Sequence, residues 1–162
     1  MRLLRHLFAR SAQGVFPEPS LHRIADAISA GEARHYGEIV FAVESELGIG
    51  QVLRGVQAGE RARDAFARLR VWDTEANNGV LIYLLLADHR IEIVADRGLD
   101  GRVSAEQWRG VCLLMEERLR AGEAEAAVIR GVEAVSDLLV AHYPQTGERV
   151  DVDELPNRPR FL

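Results

Sequence analysis

The sequence predicts an α/β protein, a three-layer α/β/α sandwich on a small mixed sheet of three to four strands with helices on both faces. Three observations carry this. Val80 to Leu86 (VLIYLLL) is the most apolar run in the chain, bounded by Asn78-Gly79 before it and Ala87-Asp88-His89-Arg90 after it, as expected of a buried strand closed by a tight turn. Ile91, Ile93 and Ala95 then alternate with Glu92, Val94 and Asp96, giving a partner strand with one wetter face and hence a hairpin. Finally, a strand over 37–44 is separated from the 80–86 strand by a helical segment, the order that makes a parallel crossover unit.

In chain order, residues 1–19 form an amphipathic amino-terminal helix and a linker. Leu3, Leu4, Leu7 and Phe8 recur at helical spacing among arginines, which suits either adhesion to an anionic membrane surface or docking on the domain or another protein. The α/β domain spans 20–143. Ser20 is placed as the N-cap of a helix carrying Leu21, Ile24, Ala25 and Ile28 and ending near Gly31. Tyr36 to Glu44 alternates Ile39, Phe41 and Val43 against Glu38, Val40, Ala42 and Glu44. Glu38 and Glu44 stand about 20 Å apart along such a strand, too far to act on one bond. The glycine-rich stretch from Glu46 to Gly59 lacks both phosphate-loop patterns and reads as an irregular connector. A helix from Glu60 to Leu69 turns Ala62, Ala65, Phe66 and Leu69 inward. After the hairpin, Ser104 caps a helix with Trp108, Val111, Cys112, Met115 and Leu119 on one stripe, and Glu123 to Tyr143 forms a second long helix. Residues 144–162 are an extended tail in which DELPNRP looks like a specific contact.

Composition removes several function classes. Net charge is -5 and the pI near 5.6, without the basic footprint of a nucleic-acid binder. All 20 basic residues are arginine, so a Schiff-base or phosphate-loop lysine is excluded. The single Cys112 lies on a helix's core stripe with no adjacent base, and no Cys/His spacing suggests zinc. No stretch has the length of uninterrupted apolar sequence that a membrane span needs, and Arg2, Arg5, His6 and Arg10 break up the apolar core of any signal peptide. The expectation is a cytoplasmic protein, peripheral at the inner membrane if the amino-terminal helix binds lipid.

The segment Trp72 to Gly101 resembles the TPM domain family: an acidic loop running into Asn77-Asn78-Gly79-Val80-Leu81, an apolar strand, a charged strand ending near Arg97-Gly98-Leu99, then a helix, with Phe66 and Trp72 ahead. The resemblance covers roughly Ser20 to Tyr143. It implies an α/β sandwich, divalent-metal binding in several members and an acid phosphatase activity in the plant branch. Within that family the chain is similar to single-domain bacterial members of the cytosol.

The candidate site lies at the open end of the hairpin. Asp73, Glu75, Asn77 and Asn78 come from the loop before it and Asp96 and Asp100 from the loop after it, with Gly79, Gly98 and Gly101 shaping the loops. Several oxygens on glycine-containing loops suit Ca²⁺ or Mg²⁺, and the same residues equally suit plain turn chemistry. An EF-hand is rejected, because Asn78 and Leu84 stand where it needs Gly and Glu. Trp72 is expected to anchor the loop by burial. Two function classes follow: a non-catalytic divalent-metal-binding or protein-interaction domain, and a metal-dependent phosphatase acting on phosphomonoesters. No phosphatase nucleophile motif is present, and no histidine has a triad partner at recognisable spacing, which favours the first.

Overall fold

Alternating β-branched and aromatic residues at Glu38–Glu44 form β1, Gly79–Leu85 form β2 and Arg90–Ala95 form β3, as the apolar periodicity requires. The computed structural model describes residues 1–148 and 152–162. The strand β4, Arg160–Phe161, comes from the tail and completes a four-stranded sheet in the order β3-β2-β1-β4. β1 runs parallel to β2 with Glu38 opposite Gly79, and β3 runs antiparallel to β2 with Val80 opposite Ala95. The sheet is therefore mixed. Its fourth strand lies against Ala42 and Val43.

Both faces are covered. One packs Ile39, Phe41, Val43, Val80, Ile82 and Leu84 against three helices: α3 (Glu18–Glu32), α6 (Ala105–Arg120) and α7 (Ala124–His142). The other packs Val40, Ala42, Leu81, Tyr83 and Leu85 against α5 (Ala58–Arg68) and against Leu155 of the tail. Every residue of β1 and β2 is buried, the pattern of central strands between two helical layers. Three short helices complete the fold: α1 (Arg2–Leu7), α2 (Ala12–Val15) and α4 (Ile49–Leu53). Among the described residues, no helix is long and apolar enough to cross a membrane.

Four local expectations change. α3 starts at Glu18 behind Pro17 rather than at Ser20, whose hydroxyl instead donates to Glu125 of α7. Pro19 in the first turn is why: its missing N–H is lost where no intrahelical partner exists. The Glu46 to Gly59 connector contains α4. The linker read within residues 1–19 contains α2, with Gly14 inside it. Trp72 is half-exposed, its ring under the Arg70 guanidinium, and the neighbouring Val71 is the residue buried beneath β2. One register step along the chain moves the buried side chain from the tryptophan to the valine.

Candidate functional site

The parallel pair β1 and β2 begins at one corner of the sheet, where Asn78 accepts the Glu38 N–H at its carbonyl and the tail comes back along β1. Glu38, buried at the head of β1, accepts the backbone N–H of Glu154 at 3.1 Å on Oε1 and that of Leu155 at 3.3 Å on Oε2. Glu32, at the end of α3, accepts the Ile39 N–H at 3.0 Å and a hydrogen bond from the Asn157 side chain. These carboxylates thus stand in for a neighbouring strand on an edge that β4 leaves open. Asp153 of the tail joins them: one oxygen from each of Glu32, Glu38 and Asp153 lies within 4.8 Å of the other two.

Among the described residues no arginine or histidine forms an ion pair with Glu32 or Glu38. Burial therefore pushes the Glu32 carboxyl up to about 8, with Glu38 and Asp153 adding repulsion. Burial likewise raises Glu38 to about 7, with Asp153 and Glu154 adding to it. Hydrogen bonds from the backbone oppose both shifts without cancelling them. The donors are all hard oxygens, which fit Ca²⁺ or Mg²⁺ and not a soft metal.

The loop residues singled out in the sequence meet at the adjoining edge of this corner, in part. Asn78 is fully buried: its Nδ2 donates to the Tyr36 carbonyl at 2.9 Å, its N–H to Thr74 Oγ1 at 3.2 Å, and its Oδ1 has no described partner. Asp96 caps the turn after β3 by accepting the Arg97 N–H on Oδ1 at 2.8 Å, while its buried Oδ2 has no described partner. Asn77, at φ 51°, accepts from Arg97 Nε at 3.2 Å. Its carbonyl takes the Gly98 N–H at 2.8 Å, so the two loops are stitched together. Asp73 is exposed and paired with Arg70 at 2.8 Å, Glu75 is exposed with its N–H given to Glu154 Oε2 at 2.9 Å, and Asp100 is exposed.

The glycines explain how the loops come so close. A Cβ on Gly79 would lie 2.1 Å from the Val71 carbonyl oxygen, and one on Gly98 would lie 2.4 Å from that of Asn77. Gly101 sits at φ 71°.

The sequence model of the TPM domain matches residues 10–138. The chain belongs to the TPM domain family. Among solved structures, this TPM domain is similar to the BA42 protein of the psychrophilic bacterium Bizionia argentinensis: TM-score 0.76 and 27% identity, over 89% of this chain and 93% of that one. It also shares its fold with the N-terminal domain of a protein from P. gingivalis, at TM-score 0.63 and 19% identity, over 82% of this chain and 81% of that one. No curated protein matches it.

Nucleophile chemistry finds little support elsewhere in this TPM domain. Burial raises the Cys112 thiol to about 11, which keeps it inert. His35 is sealed from solvent, and burial lowers it to about 4. Glu44, at the far end of β1 from Glu38, is held by Arg61 at 2.7 Å and by the Tyr83 hydroxyl. Glu32, Glu38 and Asp153 all lie outside the loop residues that sequence reasoning singled out, Glu38 having been weighed only against Glu44. The DELPNRP tail and the carboxylate at the head of β1 were visible separately, but Glu38 and Glu154 are 116 residues apart and no periodicity links them.

Proposed function

We propose that this TPM domain is a non-catalytic divalent-cation-binding domain, in which Ca²⁺ or Mg²⁺ held by Glu32, Glu38 and Asp153 ties the tail to the head of the sheet. The observation that carries the reading is the convergence of three carboxylates, two of them raised by burial and mutual repulsion, with no described basic partner. A divalent cation replaces repulsion by attraction and supplies the charge that the described chain withholds. Because the tail provides Asp153 and the N–H groups that seat Glu38, occupancy would govern whether residues 152–157 stay on the domain, a property useful to an interaction domain.

Asn78 Oδ1 and Asp96 Oδ2, both buried and without a partner among the described residues, favour a second location for the ion, in the hairpin loops with Asp73, Glu75, Asn77 and Asp100 nearby in sequence. The alternative activity, a metal-dependent phosphatase, needs an open ligand position for water. It is less favoured because the sequence carries no phosphatase nucleophile motif.

Thermal melting of chelator-stripped protein tests the reading. At a hundredfold excess over Kd the ion adds about 2.7 kcal/mol, a rise of several degrees for a domain of this size. Asp153→Asn should abolish most of the rise and Asp96→Asn should leave it. The reverse pattern places the ion in the hairpin loops, and unchanged melting with both ions removes the cation altogether. Turnover of a phosphomonoester that depends on the added ion and is lost in Asp153→Asn would establish the phosphatase instead.

A further inference from the structure

At the opposite end of the parallel strands, α1 is fastened to the domain by its polar side. Arg2 reaches Asp88 at 2.8 Å and donates to the Val56 carbonyl at 2.8 Å. His6, 5% exposed, accepts the Leu47 N–H on Nδ1 at 2.9 Å, which leaves the proton on Nε2, 3.3 Å from Asp88. Burial alone would raise the Asp88 carboxyl. The hydrogen bond and charge of Arg2, together with His6 and Arg5, hold it below its ordinary value.

Leu3 is half-buried, but the other apolar residues around α1 point the other way. Leu4 and Leu7 are about half exposed and Phe8 is 82% exposed, the reverse of a surface helix docked by its apolar stripe. The adjoining α4 adds exposed Ile49 and Leu53. Of the large apolar side chains exposed in the described residues, Met1, Leu4, Leu7, Phe8, Ile49 and Leu53 gather here, while Trp72, Leu113, Val152 and Leu162 are scattered. Single exposed apolar residues need no explanation, but a gathered set marks a contact surface. Behind α1 a groove of ≈ 1130 Å³, lined in part by Leu4, Phe8, Val15, Leu86 and Leu119, continues the apolar face.

We propose that the α1–α4 face docks on a bilayer surface containing anionic lipid. Charge selects this occupant. Residues 1–17 carry Arg2, Arg5 and Arg10 and no carboxylate, in a chain of net charge -5, and Arg54 follows α4. Arg5 and Arg10 are exposed, and among the described residues Arg10 forms no ion pair. Glu18, the exposed carboxylate nearest to them along the chain, is paired with Arg158, and Glu123 and Glu125, which line the groove, are paired with Arg118 and Arg23. The side chains of Phe8 and Leu53, 82% and 72% exposed, project from the surface, and a lipid interface receives such projections without a matching pocket. A free peptide of this length binds a bilayer weakly because it must also fold there. Here Arg2, His6 and Asp88 have already ordered the helix, so that cost is absent.

Sedimentation of the full chain with vesicles tests this surface. Vesicles of equal parts phosphatidylglycerol and phosphatidylcholine should pull the protein down, and phosphatidylcholine alone should not. Phe8→Ser with Leu53→Ser should cut binding about tenfold or more, with melting unchanged because both side chains are exposed. Arg5→Glu with Arg10→Glu should cut it comparably. The proposal is overturned by absence of binding to the anionic vesicles, by equal binding to neutral ones, or by undiminished binding of the serine variant. A concentration-dependent dimer that the serine variant dissolves, without vesicle binding by the parent, would make this face a protein interface and overturn it as well. None of these outcomes depends on the carboxylates at the other end of the sheet.

Discussion

Glu32→Gln separates the charge of the buried acidic corner from its hydrogen bonds. In the fold, the Glu32 carboxyl rises from 4.5 to about 8, by burial first and then by the charges of Glu38 and Asp153. A group raised in this way contributes stability that is fully present below its unfolded value of 4.5 and lost as pH climbs toward about 8, because the unfolded chain ionises first. Each pH unit across that window is worth about 1.4 kcal/mol. Glu32 keeps some exposure and its titration is linked to Glu38, so the loss accumulated by the top of the window is on the order of 1–3 kcal/mol after screening. Glutamine keeps an oxygen for the Ile39 N–H, bonded at 3.0 Å, and turns an amide toward Asn157, whose Oδ1 has no described partner. In chelator, the variant should therefore match the parent at pH values near 4.5 and melt several degrees above it near 8. Saturating Ca²⁺ should reverse the order, because the variant lacks a ligand. Differential scanning calorimetry across this pH range reads both effects. A variant less stable than the parent at the alkaline end, in chelator, would refute the reasoning, since it would mean that the Glu32 charge is already compensated within the protein.

Two further predictions concern packing and the opposite end of β1. Gly79→Ala should cost about 3 kcal/mol or more by urea unfolding, because its Cβ would meet the Val71 carbonyl oxygen at 2.1 Å and a backbone atom under a central strand cannot move aside. Gly131→Ala meets only the flexible Met115 thioether and should cost about 1–2 kcal/mol; equal losses would sink the distinction. Arg61→Leu should cost about 3–5 kcal/mol by stranding Glu44, whose carboxylate it holds through two hydrogen bonds with both side chains nearly buried. Tyr83→Phe, which removes only a hydroxyl donor to the same carboxylate, should cost about 1–2 kcal/mol. Chemical denaturation of both variants at neutral pH tests this order.

The sequence by itself determined the layers. Periodicity of two over 38–44 and 90–95, the unbroken apolar run beginning at Val80, and helical stripes through α5, α6 and α7 are local properties, set by which faces of a strand or helix must leave water. Asn77-Asn78-Gly79 also marked the close approach at the head of β2, because only glycine fits against the Val71 carbonyl. Tertiary structure decided the rest. It turned α1 over so that His6 and Arg2, not Leu4 and Leu7, face the domain, since the half-buried Asp88 carboxylate pairs with the Arg2 guanidinium and the Leu47 N–H finds its acceptor in His6. It also used Glu38 and Glu32 to satisfy backbone N–H groups where β4 stops short, and so drew Asp153 to them. Hydrophobic pattern is written along the chain one turn or one pleat at a time. The meeting of three carboxylates depends on where the open four-stranded sheet leaves an unpaired edge, and that is fixed only after the whole sheet has formed.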